Sequence, residues 1–192
     1  MKIGNPIIQT PINYRFPWYV RIFFWNQKRR YGSILEPARL WGRTPRVFAA
    51  LALLYGAFDR RSSPLEPLLR SLVTVRVSQI NWCGFCVDIN SATVLKRGAG
   101  RKKLEQLEIF ESSKLFTERE KAALAYAEAV TRSDLQPDKQ HFIRLRQEFD
   151  DDSIIELTGL IAFQNLSSKF NSALGVLPQG FCNIPDIQKH EF

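Results

Sequence analysis

The chain has 192 residues, of which 45% are hydrophobic and 24% are charged, a composition typical of one globular domain that buries its own core. No apolar run is long enough to span a membrane, residues 1–6 lack the apolar stretch of a signal peptide, and three cysteines are too few for a disulfide scaffold. These features predict a protein of the reducing cytoplasm, while the net charge of +8 leaves its partners open.

The N-terminal third is basic and aromatic. Residues 1–61 carry eleven Lys and Arg against Glu36 and Asp59, a balance of +9, which is typical of a solvated surface but would also suit nucleic acid, anionic lipid or an acidic partner. We predict an extended arm over residues 1–34, with an aromatic run at 16–25. Its arginines break the apolar face that a membrane-surface helix needs. We therefore expect packing on the domain or on a neighbouring subunit, and neither a membrane nor a nucleic acid as partner.

Helical patterns follow the arm. Residues 37–43 predict a short helical turn, and 45–58 a longer helix, because Pro45 suits a first helical position and apolar residues recur at helical spacing. Residues 65–80 are ambiguous, since three valines alternate with polar side chains between 73 and 77 as in a strand, whereas leucines over the longer window follow a helical period. This stretch is long for a strand, so we predict a helix.

The second half of the chain predicts four further helices. Thr117 and Glu120 have the spacing of a capping box, in which two side chains satisfy backbone N–H groups at a helix start, and Ser153 and Glu156 repeat it. The predicted helices are 101–111, 117 to about 131, one that begins at Pro137 with Phe142, Leu145 and Phe149 facing inward, and 153–174, which ends at Gly175.

Two of the three cysteines form a C-x-x-C pair, Cys83 and Cys86. A structural zinc site needs four ligands, and the other candidates, Cys182, His141 and His190, lack finger-like spacing. We therefore expect no metal and no other cofactor. The pair is then either a redox dithiol or two small core residues, and spacing alone does not decide between them.

The surroundings of the pair favour the redox interpretation. Asn81 suits a helix N-cap and Gly98 a helix end, which predicts a helix between them. Cys83 would then lie in the first turn, where unpaired N–H groups and the helix dipole stabilise a thiolate, and we expect it to be the more exposed cysteine. Cys83, Cys86 and Asn90 would share one helical face.

Three blocks of sequence carry a resemblance to a known family. Residues 72–92 around the cysteines, residues 116–127, and residues 155–165 with Phe170 and Asn171 after them resemble the core of the carboxymuconolactone decarboxylase family. The similarity is greatest to its AhpD-like alkylhydroperoxidase branch, which carries C-x-x-C.

This resemblance implies an all-α, AhpD-like helical bundle over residues 35–180, between the arm at 1–34 and a C-terminal tail at 181–192. It also implies that residues 65–80 are helical, and that the protein forms homo-oligomers, often trimers or hexamers. The apolar content of the predicted helix at 153–174 is consistent with a subunit contact.

The resemblance also implies a site. Redox members of the family use two cysteines, a histidine four residues after the second cysteine and a glutamate twelve before the first. Cys83 and Cys86 match the cysteines, but Asn90 and Ser71 occupy the histidine and glutamate positions. Asparagine cannot take up a proton near neutral pH. Asp88 is the nearest acid, two residues after Cys86, and a regular helix would point it away.

We therefore predict a thiol–disulfide protein with peroxidase-like antioxidant activity, which acts on a hydroperoxide and is reset by a thiol reductant. The family's histidine follows the second cysteine, which favours Cys86 as the sulfur that meets the peroxide. One alternative is a non-redox lactone decarboxylase, although the cysteine helix offers no proton-transfer residue for it. Another is an oligomeric binding or scaffold protein that has lost catalysis and uses its basic N-terminal third for contacts.

Overall fold

The computed structural model describes residues 7–182 and has no strand within them. The all-α prediction is therefore confirmed for this part of the chain. The elements are α1 (Trp18–Tyr31), α2 (Glu36–Trp41), α3 (Pro45–Phe58), α4 (Pro67–Ile80), α5 (Gly84–Lys96), α6 (Arg101–Glu105), a short 3-10 turn (Leu107–Ile109), α7 (Glu118–Thr131), α8 (Lys139–Glu148) and α9 (Asp151–Ala173). None of these helices is both long and apolar enough to cross a membrane.

Helix α4 lies at the centre of the main core and packs against α5, α7 and α9. Its alternating valines suggested a strand, but Val73, Val75 and Val77 are all completely buried in the helix. A helix surrounded by other helices buries apolar side chains on several faces at once, so packing overrides the β preference of valine. The prediction of a helix over residues 65–80 is confirmed, with Pro67 in the first turn.

A second core cluster joins the N-terminal helices to the cysteines. Val20 and Phe24 of α1 are buried there together with Phe48, Cys83 and Cys86. The predicted extended arm is thus wrong over Trp18–Tyr31, which form a helix that ends at Gly32 with φ of 78°. Val20 and Phe24, at i and i+4, lie on the face of the helix that packs on the domain, while Trp18 and Trp25 remain exposed. The predictions for residues 1–6 and 183–192 lie outside the described residues.

Of the two capping boxes predicted from the sequence, one is present in the structure and the other is not. Thr117 and Glu120 form the predicted capping box, with Oγ1 of Thr117 accepting from the Glu120 N–H at 3.2 Å. The second predicted box is wrong, because Asp150 caps α9 and accepts from the N–H of Ser153 at 2.8 Å. Glu156 instead accepts hydrogen bonds from the side chains of Arg60 and Ser63.

Two other predicted elements change in detail. The stretch 101–111 forms the one-turn helix α6 and a 3-10 turn rather than a continuous helix. Helix α8 begins with a capping box between Asp138 and His141 that the sequence did not indicate, because histidine replaces the usual Glu or Gln. In this helix Leu145 is buried as predicted, but Phe142 is 38% exposed.

Candidate active site

The two cysteines lie where α4 turns into α5. Asn81 ends α4 rather than capping α5, and its side-chain amide donates to Asn165 and Ser168 of α9 at 2.8 and 2.9 Å. Trp82 then adopts a left-handed conformation with φ of 54°, which turns the chain within two residues. Cys83 becomes the N-cap of α5. The predicted N-cap at Asn81 is wrong. Helix α5 begins at Gly84, so the residue directly before it, Cys83, is the N-cap.

Cys83 and Cys86 are joined by a disulfide in this structure, with their Cα atoms 5.2 Å apart. Sγ of Cys83 also accepts a hydrogen bond from the backbone N–H of Cys86 at 3.2 Å, as a capping side chain does. Both sulfurs therefore lie at the positive end of the α5 dipole, which favours a thiolate once the pair is reduced.

Neither cysteine is exposed. Cys83 is 1% exposed and Cys86 is 2% exposed, so the prediction that Cys83 is the more exposed partner is wrong. The cause lies about 95 residues downstream, where Val176 and Phe181 pack in the same cluster. We call residues 174–182, which follow α9, the tail. Pro178 covers the first turn so closely that a Cβ on Gly84 would lie 3.2 Å from its ring.

A cavity of about 240 Å³ lies beside one cysteine only. We call it the dithiol cavity. Cys86 lines it and Cys83 does not, so the second cysteine of the pair is the one that a small molecule in the cavity would meet. Its lining includes aromatic side chains from α1, α3, α5 and α9 and several amide or hydroxyl groups: Phe23, Tyr55, Phe85 and Phe163, with Asn90, Gln164 and Ser167.

Asn171 of α9 contacts the sulfur directly. Its Nδ2 donates to Sγ of Cys86 at 3.2 Å, the residue is 1% exposed, and its Oδ1 is buried without a partner among the described residues. An N–H donor stabilises a thiolate more than a thiol. The sequence pattern did not indicate this role for Asn171. The only signal was the presence of Asn171 in the third block of family resemblance.

Asn90 and Ser71 occupy the family's histidine and glutamate positions, which we call the two relay positions, and both side chains are electrically neutral. Asn90 and Gln164 both donate to Oγ of Ser78, at 3.4 and 2.9 Å, and Ser78 donates on to the Thr74 carbonyl at 2.6 Å. Among the described residues that line the dithiol cavity there is no histidine and no carboxylate. Its ionisable side chains besides the cysteine are an arginine and two tyrosines, and phenols keep their proton near neutral pH. The cavity thus contains no evident general base.

Ser71, at the family's glutamate position, is buried and bonded to Arg97. It accepts from a guanidinium N–H of Arg97 at 2.7 Å and donates to the Pro67 carbonyl at 3.2 Å. Ser71 does not line the dithiol cavity but a smaller adjoining one, which Asn90 also lines. The side chains of Ser71 and Asn90 therefore both line this smaller cavity.

The Asp88 side chain forms hydrogen bonds with the tail and not with the cysteines. Its carboxylate is 1% exposed and accepts three backbone N–H bonds, from Gln179 at 2.8 Å, Gly180 at 2.7 Å and Cys182 at 2.6 Å. A buried carboxylate is stable when its oxygens are satisfied in this way. Asp88 is therefore an anchor for the segment that covers the cysteines, and both of its oxygens accept hydrogen bonds from that segment.

Fold and site together define a class of protein: a helical bundle with a buried dithiol at a helix start, beside an apolar cavity. The sequence profile of the carboxymuconolactone decarboxylase family matches residues 34–129. The uncharacterized protein YnjA of Escherichia coli (strain K12) is 41% identical over 172 residues, which are 90% of this chain and 94% of that protein. The chain belongs to the carboxymuconolactone decarboxylase family.

Solved structures show the same fold. A protein from Agrobacterium tumefaciens, ATU0492, described as a putative antioxidant defence protein AhpD, is 27% identical with a TM-score of 0.66, over 70% of this chain and 91% of that one. An uncharacterized peroxidase-related protein from Ralstonia eutropha JMP134, described as an alkylhydroperoxidase AhpD core, is 19% identical with a TM-score of 0.80, over 96% of both chains. The predicted AhpD-like fold is confirmed.

Proposed function

We propose that this protein is a thiol-dependent peroxidase in which Cys86 attacks the hydroperoxide and Cys83 resolves the product. The observation that carries the proposal is the asymmetry of the pair, since Cys86 alone lines the dithiol cavity and receives the Asn171 hydrogen bond. The family and the descriptions of the Agrobacterium and Ralstonia proteins support a general antioxidant-type function.

The reaction balances with an external dithiol as reductant. The Cys86 thiolate attacks the outer oxygen of the hydroperoxide, the O–O bond breaks, and the alkoxide leaves as an alcohol after it takes a proton. Cys83 then attacks the Cys86 sulfenic acid, which releases water and forms the disulfide. A thiol reductant returns both cysteines to the reduced state by thiol–disulfide exchange. Because this cycle needs such a reductant, we place the protein in the reducing cytoplasm.

A weakly catalytic binding or scaffold protein is the second candidate, and the neutral side chains of Asn90 and Ser71 favour it. A lactone decarboxylase has less support, because the described lining of the dithiol cavity offers no carboxylate or histidine for proton transfer. We propose a homo-oligomer in either case, because α3 and α9 expose large apolar side chains, among them Leu53 (78%), Ile155 (69%) and Leu166 (47%).

The test is a thiol titration of the reduced protein before and after one equivalent of cumene hydroperoxide. We expect two thiols to disappear and mass spectrometry to find a bond between Cys83 and Cys86. In Cys83→Ser the oxidation should stop at a sulfenic acid on Cys86, while Cys86→Ser should not react. Cys182→Ala is the matched control and should behave as the wild type. Three intact thiols after peroxide treatment would refute the peroxidase and leave the binding protein.

A further inference from the structure

A second, smaller cavity of about 60 Å³ adjoins the dithiol cavity. We call it the arginine pocket. Five side chains line both cavities, so the two are direct neighbours: Tyr55, Asn90, Thr93, Phe163 and Gln164. The far side of the arginine pocket is charged and is formed by Asp59, Arg70 and Arg97.

The arginine pocket carries one more positive charge than negative charge. Two guanidinium groups face one carboxylate, with Oδ1 of Asp59 lying 2.5 Å from Arg97 and 3.9 Å from Arg70. Asp59 thus satisfies Arg97 closely and Arg70 only at long range. Two arginines that share one carboxylate oxygen in this way leave a site where a second anion is favoured.

Arg70 is the incompletely satisfied member of the pair. It is only 5% exposed, its NH1 group donates to the Phe58 carbonyl, and its Nε is buried without a partner among the described residues. Desolvation, and then repulsion from Arg97, lowers the pKa of the Arg70 guanidinium. A buried N–H group without an acceptor is costly, so the Phe58 carbonyl and Asp59 leave the Arg70 guanidinium incompletely satisfied.

Ser71 leaves the room for that carboxylate. Its short side chain lines the arginine pocket and bonds Arg97 through the hydroxyl. A longer acidic side chain at this position would fill the pocket and neutralise the extra charge. With serine, the space and the charge both remain for a ligand.

We propose that the arginine pocket binds the carboxylate of an organic acid whose apolar body lies in the dithiol cavity. Guanidinium groups suit carboxylates because their N–H groups match the two oxygens, and the aromatic wall of the dithiol cavity suits a hydrocarbon body. Resting on the proposed function, this inference names the substrate class: carboxylate-bearing organic hydroperoxides, held with the peroxide group at Cys86.

Direct binding tests the site without any redox step. Calorimetry on the full chain compares benzoate with methyl benzoate, acetate and inorganic phosphate at constant ionic strength. We expect benzoate to bind more tightly than the other three. Arg97→Gln should weaken its binding by about tenfold or more, as expected for the loss of a charge-assisted hydrogen bond. Ser71→Glu should weaken it by a similar factor, because the new carboxylate would occupy the pocket. Arg60→Gln removes a nearby arginine that does not line the pocket and should bind as the wild type. Thermal unfolding confirms that each variant is folded.

Equal affinity for benzoate and methyl benzoate, an unchanged affinity in Arg97→Gln, or phosphate binding as tight as benzoate would overturn the organic-acid site. Turnover separates it from the proposed function. Cumene hydroperoxide with a para carboxylate should have a higher kcat/KM than its methyl ester, and Arg97→Gln should remove the difference. If neither hydroperoxide turns over but benzoate binds through Arg97, the peroxidase fails and the site stands. If both turn over equally, the site fails and the peroxidase stands.

Discussion

Nδ2 of Asn171 donates to Sγ of Cys86 at 3.2 Å, which links the first turn of α5 to the C-terminal end of α9. The contact is fully buried, so water cannot replace the amide as a donor. In the reduced protein the same N–H would stabilise the Cys86 thiolate. This hydrogen bond would compensate in part for the absence of a histidine that could take the proton from the thiol.

Removal of this donor should make Cys86 less reactive at neutral pH. In a Cys83→Ser background, Asn171→Leu should move the pH profile of alkylation by iodoacetamide to higher pH, because the thiolate loses its hydrogen bond. Asn165→Leu is the matched control, since Asn165 lies on the same helix and bonds Asn81 and Thr131 rather than a cysteine. Identical profiles for the two leucine variants would show that Asn171 only packs against the sulfur.

The neutral relay predicts a steep pH dependence. Peroxidase turnover of the wild type with cumene hydroperoxide should be slow at pH 7 and rise toward the free-thiol value of about 8.5, because the helix dipole and the Asn171 N–H replace the missing base only in part. Asn90→His combined with Ser71→Glu should raise the rate near pH 7, by up to about 10²- to 10⁴-fold for general acid–base help, and flatten the profile. Asn90→Gln with Ser71→Thr controls for altered packing. A fast wild type that gains nothing from the pair of changes would mean that another group accepts the proton.

The three N–H bonds to Asp88 predict that this residue controls access to the disulfide. Asp88→Asn removes the charge from these bonds, each worth roughly 1.5–3 kcal/mol when one partner is charged. We expect a lower melting temperature and faster reduction of the Cys83–Cys86 disulfide by dithiothreitol, since the tail over Gly84 should detach more often. Asp134→Asn, at an exposed ion pair with Arg132, should change neither quantity. Destabilisation without faster reduction would show that the tail does not limit access.

The exposed apolar surface of α3 and α9 predicts assembly. Light scattering should give a mass well above the 22.2 kDa of one chain. Leu53→Glu, at a side chain that is 78% exposed, should shift the mass toward the monomer, because burying an unpaired charge in an interface is unfavourable. Leu135→Glu changes a leucine that is 44% exposed in a loop and should leave the mass unchanged. A monomeric wild type at micromolar concentration would contradict the prediction.

Features fixed by neighbouring residues could be predicted from the sequence. The capping box at Thr117 and Glu120 depends on four consecutive residues, and the helix over 65–80 follows from its length. By contrast, Asn81 suits both a helix end and a helix start, and only the path of the chain shows that it ends α4. The acid that caps α9, Asp150, is one of three consecutive aspartates, so the sequence pattern did not single it out.

In the candidate site, too, contacts between neighbouring residues could be predicted from the sequence, whereas contacts between distant residues could not. Cys83 and Cys86 are neighbours in sequence, so their pairing was predictable from spacing and resemblance. Their burial depends on a tail that packs on them from about 95 residues away, and the Asn171 contact joins positions 85 residues apart. Such contacts arise from tertiary packing, which a periodicity in one segment does not encode.

Helix α1 ends before residue 34, where the match to the family profile begins, yet it forms part of the cavity wall through Phe23, Gln27 and Arg30. Part of the wall that contacts the substrate is therefore encoded outside the stretch that carries the cysteines. Substitutions on the inner face of α1 can change which molecules enter without disturbing the cysteine helix. Relatives that share the dithiol can thus diverge in substrate range by altering a segment that the shared family core does not include.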